Sequence, residues 1–583
     1  MKLADTQDLG SCGIKPVRVR VPPRPQKNKM NQTIFLNNQN SEPSRQEEKF
    51  LDPTIYQLIK KYQESFFIEP QTVSSYVQVE EIAIKIAALY EKIRMFVDWK
   101  EENILRRSAI ERILKRVLIY QDEAQKIAEP LVKELIRGGH LPNNAIPSSK
   151  ISQVEKAIKK YLYLIKNAPY SQNSSAFILK KKVNLYNWLL EIAACEIEEI
   201  LAPPLKQNAL IEAMTILMNE RIRILPEGSL GEKEKLIQTY IAVHRTLFDL
   251  DEAIITYRLL KYQYPQWVQA DDVFLQQFNQ NIFTIWETLE KQLTHPLRKD
   301  FFNICEQTDT IFLILGDILE SFKRQPGKID QIFKQKETLR KLISKFYNQR
   351  LATLKSRLFR LGIYSSLSVF FSNFFTYFIV EVPLANLLYE GFSFFAAAMD
   401  FLIPTLVMFI LVVIIKPPGP KNLNRVIEMA FSFIFPEEGK NIYEIKIEKK
   451  RNLLGRLVIG FLYLLIGIFV LGTTAWVFWK AGIPTTSVVL DTAMISLNVF
   501  AAIIIRNKAK ELTVEEKTSF GEFVLDTISV PVGKIGSFLA AKWKEYNIFS
   551  VFLNAFVEMP FATLIDFIES WSRFIKERKA EIH

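Results

Sequence analysis

Asp400 and Asp491 are the residues of this 583-residue chain whose placement most invites chemistry. Each stands about ten residues into a block otherwise free of charge, 391–415 and 481–505, which puts both about 15 Å along a helix that starts at the block. A carboxylate in hydrocarbon costs about 2.5–3.5 kcal/mol on insertion scales, so each must face protein or water. Three chemistries are open to such a pair. The first is structural, a hydrogen bond to a neighbouring helix or a cap on a break such as Pro404 would produce. Capping does not suit Asp491, because a helix starting there keeps only about 14 apolar residues, short of a crossing. The second is passage of a proton or cation, with equivalent acids on one axis. The third is intramembrane aspartyl hydrolysis, against which neither Met399-Asp400 nor Leu490-Asp491 offers a Tyr-Asp or Gly-x-Gly-Asp context.

Other reactive constellations are scarce. His140, His244, His295 and His583 have no second His or Cys at ligand spacing, so no metal site is expected. There is no phosphate-binding GxxxxGK[ST] loop, no GxSxG elbow and no GxGxxG turn, and no cofactor is expected. Cys12, Cys195 and Cys305 are scattered and odd in number, which fits a reducing compartment without a disulfide framework. The net charge of +12 collects beside the apolar blocks, where anionic lipid accounts for it without nucleic acid. The chain is more readily a non-enzyme, although active sites assembled from distant helical residues leave no local motif.

The elements that must position the two acids are four apolar blocks, 361–380, 391–415, 457–479 and 481–505, each near the roughly 20 residues needed to cross a bilayer. Lys and Arg crowd the approach to the first block, the loop between the second and third, and the end of the fourth. The segments 381–390 and 480–484 hold none and one, respectively. Basic flanks stay in the cytoplasm, so the expectation is an inner-membrane protein with four spans in two hairpins and both termini cytoplasmic. Trp476 and Trp479 then sit at the outer headgroup layer as interface anchors. Val412-Val413-Ile414-Ile415-Lys416 parallels Ala502-Ile503-Ile504-Ile505-Arg506, as Arg360-Leu361 parallels Arg456-Leu457, which fits a duplicated hairpin.

Ahead of the membrane region the pattern is helical almost throughout, and the fold class expected is all-α. Stripes run through Ile110, Ile113, Leu114, Val117 and Leu118, and through Ile151, Val154, Ile158, Tyr161, Leu162 and Ile165. Gly138-Gly139, Pro203-Pro204 and Pro226 with Gly228 and Gly231 punctuate it. The domains expected are an unfolded leader over 1–48, helical subdomains over 49–170 and 171–350, a membrane domain over 351–510, and C-terminal amphipathic helices over 511–583. Breaks are expected at Pro531 and Pro560. The helix around Val426, Ile427, Ala430, Phe431 and Ile434 suits either the inner leaflet or the bundle, and 442–449 alternates like a strand. The last helix, with Phe561, Leu564, Ile568 and Trp571 on one face, has the same two options, with Trp571 as a third interface anchor.

Three resemblances add to this reading. Val17-Arg18-Val19-Arg20-Val21-Pro22 resembles a translated transfer-RNA gene, which implies a product beginning at Met30; an ordinary Pro/Arg-rich tail is the alternative. Asp251-Glu252-Ala253 with Tyr257, Leu260 and Pro265 is similar to the second helix of a tetratricopeptide repeat, which implies a partner-binding helix; no neighbouring copy accompanies it. Leu525-Asp526, Lys542-Trp543, Asn547-Ile548-Phe549 and Ser570-Trp571 resemble uncharacterised multi-pass membrane proteins of reduced-genome, candidate-phyla bacteria, which implies a bacterial membrane protein and no particular activity. The function expected is a membrane-anchored scaffold or recruitment platform, with the lipid bilayer and a cytoplasmic protein as partners. The alternative is a homo-oligomeric channel or transporter using Asp400 and Asp491.

Overall fold

A computed structural model describes residues 51–67, 75–79, 102–169, 176–376, 394–447, 453–480, 485–514 and 520–545, together with positions 378 and 383. The expected leader and Trp571 lie outside the described residues. The chain is mostly helical. Its body is built from α1 (Pro53–Phe66), α2 (Glu102–Val117), α3 (Ala124–Arg137), α4 (Ser149–Asn167), α5 (Ala176–Leu201) and α6 (Leu205–Arg221). After strand β1 (Ile222–Leu225) come α7 (Glu232–Phe248), α8 (Glu252–Gln263), α9 (Asp272–Gln280), α10 (Ile282–Leu293), α11 (Arg298–Glu306), α12 (Asp309–Ser321) and α13 (Ile329–Phe333). Helix α14 (Lys336–Thr376) leaves the body. It is followed by α15 (Phe394–Val413), α16 (Lys421–Ile434), β2 (Tyr443–Lys446), α17 (Leu453–Lys480), α18 (Thr485–Ala509) and α19 (Phe520–Glu545).

The apolar stripes explain the packing. Ile110, Ile113 and Leu114 of α2 and Val154, Ile158 and Tyr161 of α4 are buried, each at the three- and four-residue spacing that keeps one helix face inward. Helix α3 ends where Gly139 takes φ +74°, which lets the His140 N–H reach the Leu135 carbonyl. One continuous core runs from Leu51 to Val514, so the segments 49–170 and 171–350 are not separate at their interiors. Within it Glu196 accepts from Lys160 Nζ at 2.7 Å, Tyr161 Oη at 2.7 Å and Trp267 Nε1 at 3.0 Å, which satisfies a buried carboxylate from three directions.

The loop between the second and third apolar blocks belongs to this body. Strand β2 pairs in parallel with β1, Ile222 opposite Tyr443 and Leu225 opposite Lys446. Ile222, Ile224, Tyr443 and Ile445 point inward, so the alternation expected over 442–449 is present in the strand 443–446, which has the partner it needs; residues 448–449 lie outside the described residues. Helix α16 buries Val426, Ile427, Ala430, Phe431 and Ile434 in the same core, so of its two expected options the bundle is the one adopted. Arg221 fixes the joint. Its buried guanidinium lies 3.6 Å from the Phe433 ring centre and donates from Nη2 to the Ser432 carbonyl at 2.7 Å. Burial lowers its pKa to about 10, which still leaves it charged at neutral pH. At the N-terminal end, the Asp52 N–H donates to the Ile434 carbonyl at 2.9 Å.

His244 makes this body acid-sensitive. It is buried in α7, donates from Nδ1 to the Tyr240 carbonyl at 2.7 Å, and is held neutral, its pKa pushed down to about 3 chiefly by burial and then by Arg258. An unfolded histidine takes up a proton below pH 6.5, and the folded one does not until about pH 3, so stability falls as pH drops through that window. Between pH 6.5 and 4.5 the loss contributed by His244 is expected to be about 2 kcal/mol. Because buried acids such as Asp309 respond in the opposite sense, the contribution is read as the difference in pH dependence between wild type and His244→Gln in denaturation across this range, the variant losing less stability as pH falls.

Candidate functional site

Among the described residues three helices are long and apolar enough to cross a membrane, over Leu457–Lys480 in α17, Val488–Ala509 in α18 and Phe523–Lys542 in α19. A shorter apolar stretch, Leu402–Val413, lies in α15. The first two agree with the expected blocks 457–479 and 481–505. The block 361–380 is described as the end of α14 up to Thr376, and 391–415 as α15 from Phe394. The third differs from the expectation that 511–583 is amphipathic and broken at Pro531. Helix α19 runs through Pro531, whose ring is buried and lies near Gly467 of α17. That packing offsets the backbone hydrogen bond which proline cannot donate.

Small residues set how these helices approach. A Cβ at Gly536 of α19 would stand 2.0 Å from the Ser496 carbonyl oxygen of α18, and one at Gly533 would stand 2.4 Å from Ile503 Cδ1. With the Arg506–Asp526 ion pair at their base, these contacts make α18 and α19 an antiparallel pair in backbone contact. A Cβ at Gly362 of α14 would meet Val412 Cγ1 of α15 at 2.6 Å, which sets a second close pair. Helices α15 and α18 run in parallel. Met408, Val412 and Ile415 join the main core alongside Ile505 and Ala509, whereas Ile403 joins a separate cluster with Phe478, Val488 and Ile495.

The polar site follows from this packing. The buried positions of α18 include Val488, Asp491, Ile495, Asn498, Ala502, Ile505 and Ala509, spaced alternately by three and four, the seam of a helix packed lengthwise on its neighbours. Two steps of that seam are polar. Asp491 is 3% exposed and Asn498 is 2% exposed, about two turns apart on one face. Asn498 Nδ2 donates to the Pro404 carbonyl of α15 at 3.1 Å. Pro404 has no N–H to offer the Asp400 carbonyl one turn earlier, so Asn498 braces the helix at its weakened turn. Asn373 of α14 is 5% exposed, and its Nδ2 has no hydrogen-bond partner among the described residues. The Gly362–Val412 and Asn498–Pro404 contacts bring Asn373, the Asp400 backbone and the Asp491–Asn498 interval within about two turns of one level. The Asp400 side chain lies outside the described residues. Ser496 and Ser537, both fully covered at the α18–α19 contact, extend the polar level to a fourth helix.

Asn498 and Asn373 are the residues that sequence reasoning passed over. A seven-residue step from Asp491 inside an apolar block was the available signal for Asn498; Asn373 carried none. Trp476 and Trp479 are exposed on the last turn of α17. Tyr257 and Leu260 lie in the core, Ala253 is half-buried, and Pro265 opens a short turn whose Trp267 is enclosed. Asp251 caps α8 through Ile254 N–H and holds Arg107 at 2.7 Å. The adjoining crevice, between Arg107, Cys195, Glu198, Tyr257 and Arg258, leaves about 10 Å³, room for about one water and no peptide. Among the described residues no group of three His, Cys, Asp or Glu is placed to hold a metal. Comparison with protein-family models, curated proteins and solved structures yields no match.

The glycine contact gives a direct check. Gly536→Ala must push α19 off α18 and is expected to cost about 1–3 kcal/mol. Gly472→Ala on α17, where nothing lies within 4 Å, should leave the melting temperature in detergent unchanged.

Proposed function

We propose that the protein is a membrane-anchored cytoplasmic platform of the bacterial inner membrane, whose helical body receives a protein partner. The observation that carries this reading is the shared core. The stem of α14, the whole excursion through α16 and β2, and the end of α18 are packed into the body, so a partner docked on that body is held at a fixed height above the lipid. The turn after α2 offers a contact point, with Ile119 80% and Tyr120 73% exposed side by side. The basic residues at the ends of the apolar helices support a cytoplasmic body. Crossings by 361–380, 391–415, α17 and α18 return the chain to the body's side. A crossing by α19, antiparallel to α18, carries Glu545 to the far side and leaves the return of the C-terminus to residues 546–583.

A second reading is favoured by the polar level of Asn373, Asp400, Asp491 and Asn498, which supports a proton or cation path in an oligomer. One pair of measurements separates the two. A photo-crosslinker at Tyr120 in native membranes should yield a single stoichiometric protein adduct, unchanged by Asp491→Asn, if the platform reading holds. Only self-adducts, together with loss of a proton or cation flux from proteoliposomes on Asp491→Asn, would replace it with the transport reading.

A further inference from the structure

The stem that follows α18 is held by three side chains from three helices of the body. Asn422 of α16 donates from Nδ2 to the Leu512 carbonyl at 2.7 Å and accepts from the Val514 N–H at 3.0 Å, mimicking a strand partner. Arg357 of α14 pairs with the Glu511 carboxylate. Thr310 of α12 donates from Oγ1 to the Glu511 carbonyl at 3.1 Å. Leu512 and Val514 are buried in the main core, so this segment is where α18 joins the body.

Thr310 is shared. Its Oγ1 also lies 3.2 Å from Asp309 Oδ1, and a hydroxyl has one proton to give. Asp309 is buried, and among the described residues no Lys, Arg or His of α1, α6, α7, α14 or α16 pairs with it. The charged groups that act on it are Glu306 of α11 and Glu511, both acidic; Lys508 faces Glu306, and Arg357 is engaged by Glu511. The apolar neighbours on this side include Met218 of α6 beneath Thr308 and Phe433 of α16 against Phe312. Burial and those two acids push the Asp309 carboxyl well above the usual carboxylate range.

We propose that Asp309 and Thr310 form a proton-controlled latch on the stem of α18, independent of whether the body carries a partner or the helices pass an ion. With its proton, the Asp309 carboxyl donates to Thr310 Oγ1, and Thr310 donates onward to the Glu511 carbonyl. When that proton leaves to solvent, the carboxylate claims the Thr310 proton, the Glu511 carbonyl loses its donor, and the stem loosens. The latch is therefore closed at lower pH and opens as pH rises through the folded pKa of Asp309.

Amide hydrogen exchange of the segment 508–514 tests this in the full chain in nanodiscs, from pH 5.5 to 9.5, after correction for the intrinsic rate at each pH. Wild type should lose tenfold or more of its protection as pH rises. Asp309→Asn, whose amide donates to Thr310 as the neutral acid does, should stay protected throughout. Thr310→Val should be weakly protected at every pH, and Thr310→Ser should restore the wild-type response. Wild-type protection that is flat with pH overturns the latch, as does a wild-type pH response in either Asp309→Asn or Thr310→Val.

Discussion

The buried guanidinium of Arg221, lying on Phe433 and bonded to the Ser432 carbonyl, closes the joint on which the architecture depends. A charge taken out of water needs partners, and here they come from a helix more than two hundred residues away in sequence, a carbonyl at Nη2 and a ring face, while Nε has no hydrogen-bond partner among the described residues. Once α16 is seated, β2 pairs edge to edge with β1, and the inward side chains of both strands enter the main core. What a hydropathy reading takes for a loop between membrane helices is thus a structural part of the body. That makes the body and its apolar helices one mechanical object.

Much of this was legible because it is local. The stripes of α2 and α4, the stop at Gly138-Gly139 and the division at Pro203-Pro204 each depend on neighbours within a few turns, and the chain carries those signals openly. The alternation of β2 was readable too. Its partner was not, because Ile222-Arg223-Ile224-Leu225 is four residues caught between a helix and Pro226, too short to stand out. Helix α19 was masked by Asp526, Lys534 and Lys542, charges that lower its mean hydropathy; the glycines that let it press against α18 reveal its place only once the partner is known.

The polar level in the apolar helices shows how far a single sequence reaches. An aspartate among leucines and valines stands out by cost alone. An asparagine does not, yet Asn498 is the residue with a defined bond across the interface, bracing a neighbouring helix at its proline.

The parallel pairing of β1 with β2 also orders the events of biosynthesis. Half of the strand pair, with the Arg221 platform, leaves the ribosome early; the other half follows only after α14 and α15 have been made. Until then β1 has no strand partner, and the part of the core that α16 and β2 complete stays open on the growing chain. Completion of the body thus waits on synthesis of the apolar segments that precede β2, so a product truncated before residue 443 is expected to depend on chaperones and to be cleared by proteolysis.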